Sequence, residues 1–164
     1  MRSVVVTGIG LVTPLGLTTQ TSWNRCLAGE SGIGPVTRVR AERFPTQIAG
    51  EIKGFDPSQF FELKEIKRFD PFIQYAVASA TEALSDACLK ITPENSEMVG
   101  IVIGSGIGGI MSISETTLKL AQEGPRFVTP FFIPSAIINM SSGYLAIRTE
   151  GGTEVVKEIR YHNE

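Results

Sequence analysis

A chain of 164 residues with 17 acidic and 15 basic side chains carries a formal net charge of −2. Its 42% apolar and 20% charged content suffices for a buried core, which excludes intrinsic disorder as the main state. One domain of this size removes about 70% of its extended-chain surface from water. The near-neutral charge also excludes a nucleic-acid binder that works by bulk electrostatics.

The chain opens with Ser3 to Thr7, an apolar, β-branched run ending at Gly8-Ile9-Gly10. Continuous apolarity without alternation predicts a strand covered on both faces. Thr13-Pro14-Leu15-Gly16 predicts a turn. Thr18 or Thr19 then caps a helix through about Ala28, with Trp23, Cys26 and Leu27 on one side and Gly29 as its stop. Residues 29–54 hold scattered Gly and Pro and predict loop, with a short strand near Gln47 to Ile52. Asp56-Pro57-Ser58 opens a short helical piece through Arg68. Asp70-Pro71 supplies an N-cap and a first-turn proline for the clearest helix of the chain. There Ile73, Ala76, Val77, Ala80, Leu84, Ala87 and Cys88 recur at spacings of three and four, and the alanines suit close packing on a sheet. Val99 to Ile103 predicts a second buried strand, broken by Gly104-Ser105-Gly106-Ile107-Gly108-Gly109. A helix from about Met111 to Gln122 follows, stopped by Gly124-Pro125. Thr129 to Pro134 is a proline-bounded aromatic segment, and Ser135 to Ile147 predicts a last helix. Strands alternating with helices point to an α/β layered fold with a largely parallel sheet.

The uncharged stretch from Phe127 to Ile147 is long enough to cross a bilayer, but Pro130, Pro134, Asn139 and three serines make it a protein segment. Arg2 leads straight into Val4-Val5-Val6, with no apolar h-region and no cleavage site, so no secretory signal is expected. Cys26 and Cys88 lack metal-ligand spacing and predict two reduced, buried thiols. Both fall near helix C-termini, where the dipole disfavours a thiolate nucleophile. His162 is third from the end, where chains fray, and is a poor general base. Gly104, Gly106 and Gly109 fit the phosphate-cradling G-x-G-x-x-G pattern. Glu123 falls near the interval of the ribose-binding acid, but it precedes Gly124-Pro125 instead of ending a strand. The turn therefore predicts close packing, with nucleotide binding as a lesser alternative. On a helix, Lys64, Lys67 and Arg68 share one face, either as a solvated surface or as a basic patch for an acidic partner.

Taken together, these blocks resemble the N-terminal part of a β-ketoacyl-[acyl carrier protein] synthase, most closely the second type of elongating synthase. The resemblance runs from Val4-Val5-Val6-Thr7-Gly8-Ile9-Gly10 and Thr13-Pro14-Leu15-Gly16 through Trp23, Gly29-Glu30-Ser31-Gly32-Ile33 and Phe55-Asp56-Pro57. It continues through Arg68-Phe69-Asp70, Gln74-Tyr75-Ala76, the glycine turn, Pro130-Phe131-Phe132-Ile133-Pro134 and Asn139-Met140 to about Arg148. It implies the N-terminal half of a thiolase-like αβαβα sandwich over residues 1–148, followed by a non-matching tail over 149–164.

Family enzymes move an acyl chain from acyl carrier protein onto a cysteine. Two histidines then assist decarboxylative condensation with malonyl-acyl carrier protein, without metal or organic cofactor. The tail holds no cysteine in the nucleophile's context, so no catalytic residue is assigned and the chain by itself is expected to be inactive. By position, Ile107 resembles an apolar gate beside the acyl chain. Phe132, with its neighbour Phe131, resembles the aromatic that reaches the acyl pocket. Lys64, Lys67, Arg68 and Arg126 resemble the positions that dock acyl carrier protein. The resemblance further implies a homodimer for the full enzyme and a cytoplasmic setting, or an organellar one after transit-peptide removal. A non-catalytic module that binds carrier protein or pairs with a synthase is the alternative.

Overall fold

The structure is a computed structural model that describes residues 3–149. The described chain divides into two units. One comprises the chain up to Asp56 together with Ala78–Leu89, and the other comprises Pro57–Val77 together with the chain from Lys90 onward.

In the first unit, Thr13 and Gly16 close a tight turn through paired backbone hydrogen bonds of 2.8 and 3.1 Å. Helix α1 (Thr19–Leu27) follows, and Thr18 caps it reciprocally with Thr21. A two-stranded antiparallel ribbon pairs β1 (Ile33–Pro35) with β2 (Ile48–Gly50), Ile33 opposite Gly50. The segment around Gly8 and Gly10 lies against the C-terminal half of a later helix, α3 (Pro71–Asp86). A Cβ on Gly8 would stand 2.3 Å from the Ala83 carbonyl, and one on Gly10 would stand 1.9 Å from that of Ser79, so neither position admits a side chain. Carboxylates of the helix fasten this approach. Asp86 accepts from the Ile9 amide at 2.9 Å, and Glu82 accepts from those of Leu11 and Thr19 at 2.8 and 2.7 Å.

In the second unit, a short α2 (Leu63–Ile66) precedes the N-terminal half of α3. Its core is Phe61, Ile73 and Val77, with Phe69, Met140 and Tyr144 packed around it. Tyr144 stacks on Phe61 at 5.5 Å between ring centroids and meets Phe69 edge-on at 4.7 Å. Helices α4 (Ile110–Glu123), α5 (Phe132–Ala136) and α6 (Met140–Arg148) complete the unit. Gly124 ends α4 with φ 93°, a conformation glycine adopts freely.

Four sequence expectations need correction. The predicted strands Ser3–Thr7 and Val99–Ile103 join no sheet, and the expected parallel sheet is not formed among the described residues. Val4 and Val6 are 97% and 81% exposed instead of covered on both faces. A parallel strand needs a neighbour for its backbone groups, and no described strand pairs with either run. The predicted helix over 135–147 is two helices, because Ile137 takes an extended ψ of 140° between α5 and α6. Pro134 falls in the first turn of α5, where an amide has no intrahelical partner to lose. Neither cysteine is buried; both are free and exposed. Helix α1 is held instead by polar contacts: buried Ser22 meets the Thr13 hydroxyl at 2.9 Å, and Arg25 donates to the Leu15 carbonyl at 2.6 Å. Trp23 and Leu27 are accordingly left exposed. Cys88 lies beyond the end of α3 in the left-handed region, φ 51°.

No helix of the described residues is long and apolar enough to cross a membrane. His162 and the tail from residue 150 lie outside the described residues.

Candidate functional site

The glycine turn before α4 is a packing device. Cβ atoms on Gly104 or Gly106 would meet nothing within 4 Å, whereas one on Gly108 or Gly109 would stand 2.5 Å from the carbonyls of Ala136 or Ser135. The Gly109 amide donates to the Ala136 carbonyl at 3.0 Å, and Gly108 donates to the Ser105 hydroxyl. The place a phosphate would take at this helix N-terminus is served by the buried Asp70 carboxylate, which accepts from the Ser112 amide at 2.8 Å. Its other oxygen accepts from Phe72 in the first turn of α3. Asp70 thus caps α3 and clamps α4 to it, and the nucleotide-binding reading falls away.

A hollow of about 180 Å³ opens beside this clamp, within the second unit. Lys67 and Arg68, from the end of α2, form one wall. Ser112, Glu115, Thr116 and Lys119 form another, at the i, i+3, i+4, i+7 spacing of one face of α4. Phe127, Thr129, Phe131 and Ser135 close the rim. Three cations thus face one carboxylate, and among the described residues no ion pair engages any of the four. The Arg68 guanidinium lies 4.0 Å from the centroid of the Phe131 ring, which holds it in place from one side and leaves its edge to a ligand. Phe127 and Phe131 are 59% and 40% exposed, so the charged hollow has an aromatic border.

The basic face expected of Lys64, Lys67 and Arg68 is only partly assembled, because α2 ends at Ile66. Lys64 is exposed and pairs with Glu62 at 2.7 Å, and that neighbour raises its pKa. Neither Lys64 nor the exposed Arg126 lines the hollow. Ile107 is 63% exposed in the loop before α4, and Phe132 is half-buried in the first turn of α5. Phe131 is thus placed with the cations. Lys119 and Glu115 escaped notice in the sequence. The polar stripe on α4 was the available signal, but its meaning depends on Lys67 and Arg68, some fifty residues away in sequence. Nearby, Glu65 feels an upward pull from burial. The Glu62 amide and the Tyr144 hydroxyl, which donates to it at 2.9 Å, outweigh that pull and lower its pKa.

A family model described as the N-terminal domain of β-ketoacyl synthase matches residues 1–152. A 3-oxoacyl-[acyl-carrier-protein] synthase 2 of Coxiella burnetii is 48% identical over 147 residues, which is 90% of this chain and 36% of that protein. The enzyme of the same name from Vibrio cholerae is 44% identical over 146 residues, 89% of this chain and 35% of its own length. Among solved structures, the ishigamide ketosynthase/chain length factor overlays 92% of this chain and 39% of its own with a TM-score of 0.77 at 25% identity. A type II polyketide ketosynthase, solved with its acyl-carrier protein and bound to the hexaketide, overlays 92% of this chain and 40% of its own with a TM-score of 0.71 at 18% identity. The chain thus spans about a third of the length of the curated relatives it matches.

Proposed function

This chain belongs to the β-ketoacyl synthase family, and we propose that it is the N-terminal part of a 3-oxoacyl-[acyl carrier protein] synthase of fatty acid synthesis. The reaction is decarboxylative condensation of malonyl-acyl carrier protein with a cysteine-bound acyl chain. In that chemistry a thiolate attacks the incoming thioester, and oriented donors stabilise the oxyanion that forms. The chain spans about a third of the length of its curated relatives, and no residue of it is assigned as nucleophile or general base, so its part is read as positioning the reactants.

Ile107 and Phe132, with Phe131 as the sequence neighbour of Phe132, are assigned to the acyl pocket by position in the family pattern. Lys64, Lys67, Arg68 and Arg126 are assigned to docking of acyl carrier protein, whose surface is acidic. The basic hollow supports this reading, because it gathers Lys67 and Arg68, and among the described residues neither is held in an ion pair. The functional enzyme is read as a homodimer, as is usual in the family.

The test is a chimera in which residues 1–148 replace the corresponding part of the Coxiella burnetii relative. Condensation of a short acyl chain with malonyl-acyl carrier protein is the expected result, at a rate within about tenfold of the parent. A folded chimera that binds carrier protein and condenses nothing would refute the assignment. The 164-residue chain assayed alone should produce no condensation.

A further inference from the structure

We propose that Lys119, on α4, is a docking residue for acyl carrier protein, and that with Lys67 and Arg68 it receives one acidic side chain of the carrier. Phe127 and Phe131 form the apolar flank of the same contact. This rests on the carrier-protein reading above and extends it to residues that the family pattern did not indicate.

Four observations carry it. Cations from two separate elements converge on one hollow of about 180 Å³, the size of a side chain and far short of a folded ligand. None of the three has an anion partner among the described residues, so their charge is uncompensated except by Glu115. The element bearing Lys119 is also fixed: two turns before it, Ser112 is bonded to buried Asp70, and Gly109 is bonded to Ala136. A cation on an anchored helix costs less ordering on association than one on a loop. The border of exposed aromatics beside an arginine has the composition of an interface centre, where Phe and Arg are enriched.

Glu115 favours a carboxylate side chain over a free phosphate. A dianion confined beside that carboxylate meets a like charge, whereas a side chain delivered by a partner brings one charge and leaves the aromatics covered.

The experiment titrates the 164-residue chain and its variants with holo-acyl carrier protein, with fluorescence anisotropy as the readout. Lys119→Glu should weaken binding roughly five- to tenfold at low salt, comparable to Lys67→Glu and Arg68→Glu, and the loss should shrink as salt rises. Phe127→Ser should weaken binding without changing the salt slope. Lys90→Glu, an exposed reversal of the same charge outside the hollow, serves as control and should change affinity less than twofold. All are surface positions, and circular dichroism verifies that each variant retains its helix content.

If Lys67→Glu and Arg68→Glu weaken binding while Lys119→Glu matches the control, the inference is overturned and the carrier reading stands. If no reversal differs from the control, or the unaltered chain binds no carrier, both fall. Displacement of the carrier by millimolar inorganic phosphate at constant ionic strength would reassign the hollow to a small anion and overturn the inference.

Discussion

Glu51 shows how much one exposed carboxylate organises. It accepts from the Thr37 hydroxyl at 2.6 Å and from the Thr37 and Arg38 amides at 2.9 and 3.1 Å, which pins the segment after β1 to the residue after β2. These bonds, the Thr37 hydroxyl foremost, favour the charged form and lower its pKa from 4.5 to about 2. Because the folded value lies below the unfolded one, the contribution is fully present above pH 4.5 and fades as pH falls toward 2. Glu51→Gln should therefore lower the melting temperature of the chain at pH 7, and the difference from the unaltered chain should narrow through that window. Parallel thermal melts at pH 7, 4 and 2.5 read this directly, and a difference independent of pH would contradict it. Asp86 and Glu82 act alike, accepting the Ile9 and Leu11 amides of a segment without a sheet, and Glu82 also accepts the Thr19 amide at the start of α1.

At the scale of elements, the junction of α3 with α4 depends on Asp70. The carboxylate is buried and serves amides of both helix starts, so removing it leaves the Ser112 amide without its acceptor. Asp70→Ala should destabilise the chain by about 2 kcal/mol, the sum of a lost cap and an unsatisfied amide. Asp70→Asn, which keeps one acceptor, should recover part of that. Urea melts of the three proteins decide the matter, and equal midpoints would remove Asp70 from its role. Asp70-Pro71 was legible in the sequence as a helix start, as were α1, α4 and the stop at Gly124-Pro125, because capping and breaking are local chemistry. The second bond of Asp70 was not legible, since its partner is 42 residues away. For the same reason Lys67 and Arg68 were readable as a basic patch but their meeting with Lys119 was not. The two apolar runs were misread as strands because β propensity records what fits between neighbours and says nothing of whether neighbours are present.

At the scale of the whole molecule, each of the two units leaves apolar side chains exposed. Val4, Val5 and Val6 are exposed, as are Val102, Ile107 and Ile110, and residues 4–7 make no backbone hydrogen bonds among those described. Exposed apolar surface beside unpaired backbone invites association through the edge. The purified chain should therefore scatter light as oligomers at micromolar concentration and enhance the fluorescence of an apolar-surface dye. A monodisperse monomer that leaves the dye dark would contradict this. The chimera with the relative's remaining length should abolish both signals if that length covers the same faces. Both measurements need no assay of activity, so they test the fold assignment independently of the chemistry.

The first unit is discontinuous in sequence, and that sets the order in which it can form. Glu82 reaches back 71 residues to Leu11 and 63 to Thr19, while Gly8 and Gly10 find their surface only on the last turns of α3. During synthesis the N-terminal segment has nothing to settle on until the helix has emerged, so its docking closes a long loop and comes late. A cut after Asp56 would separate that segment from Ala78–Leu89, leaving two tight-fitting glycines with nothing to fit.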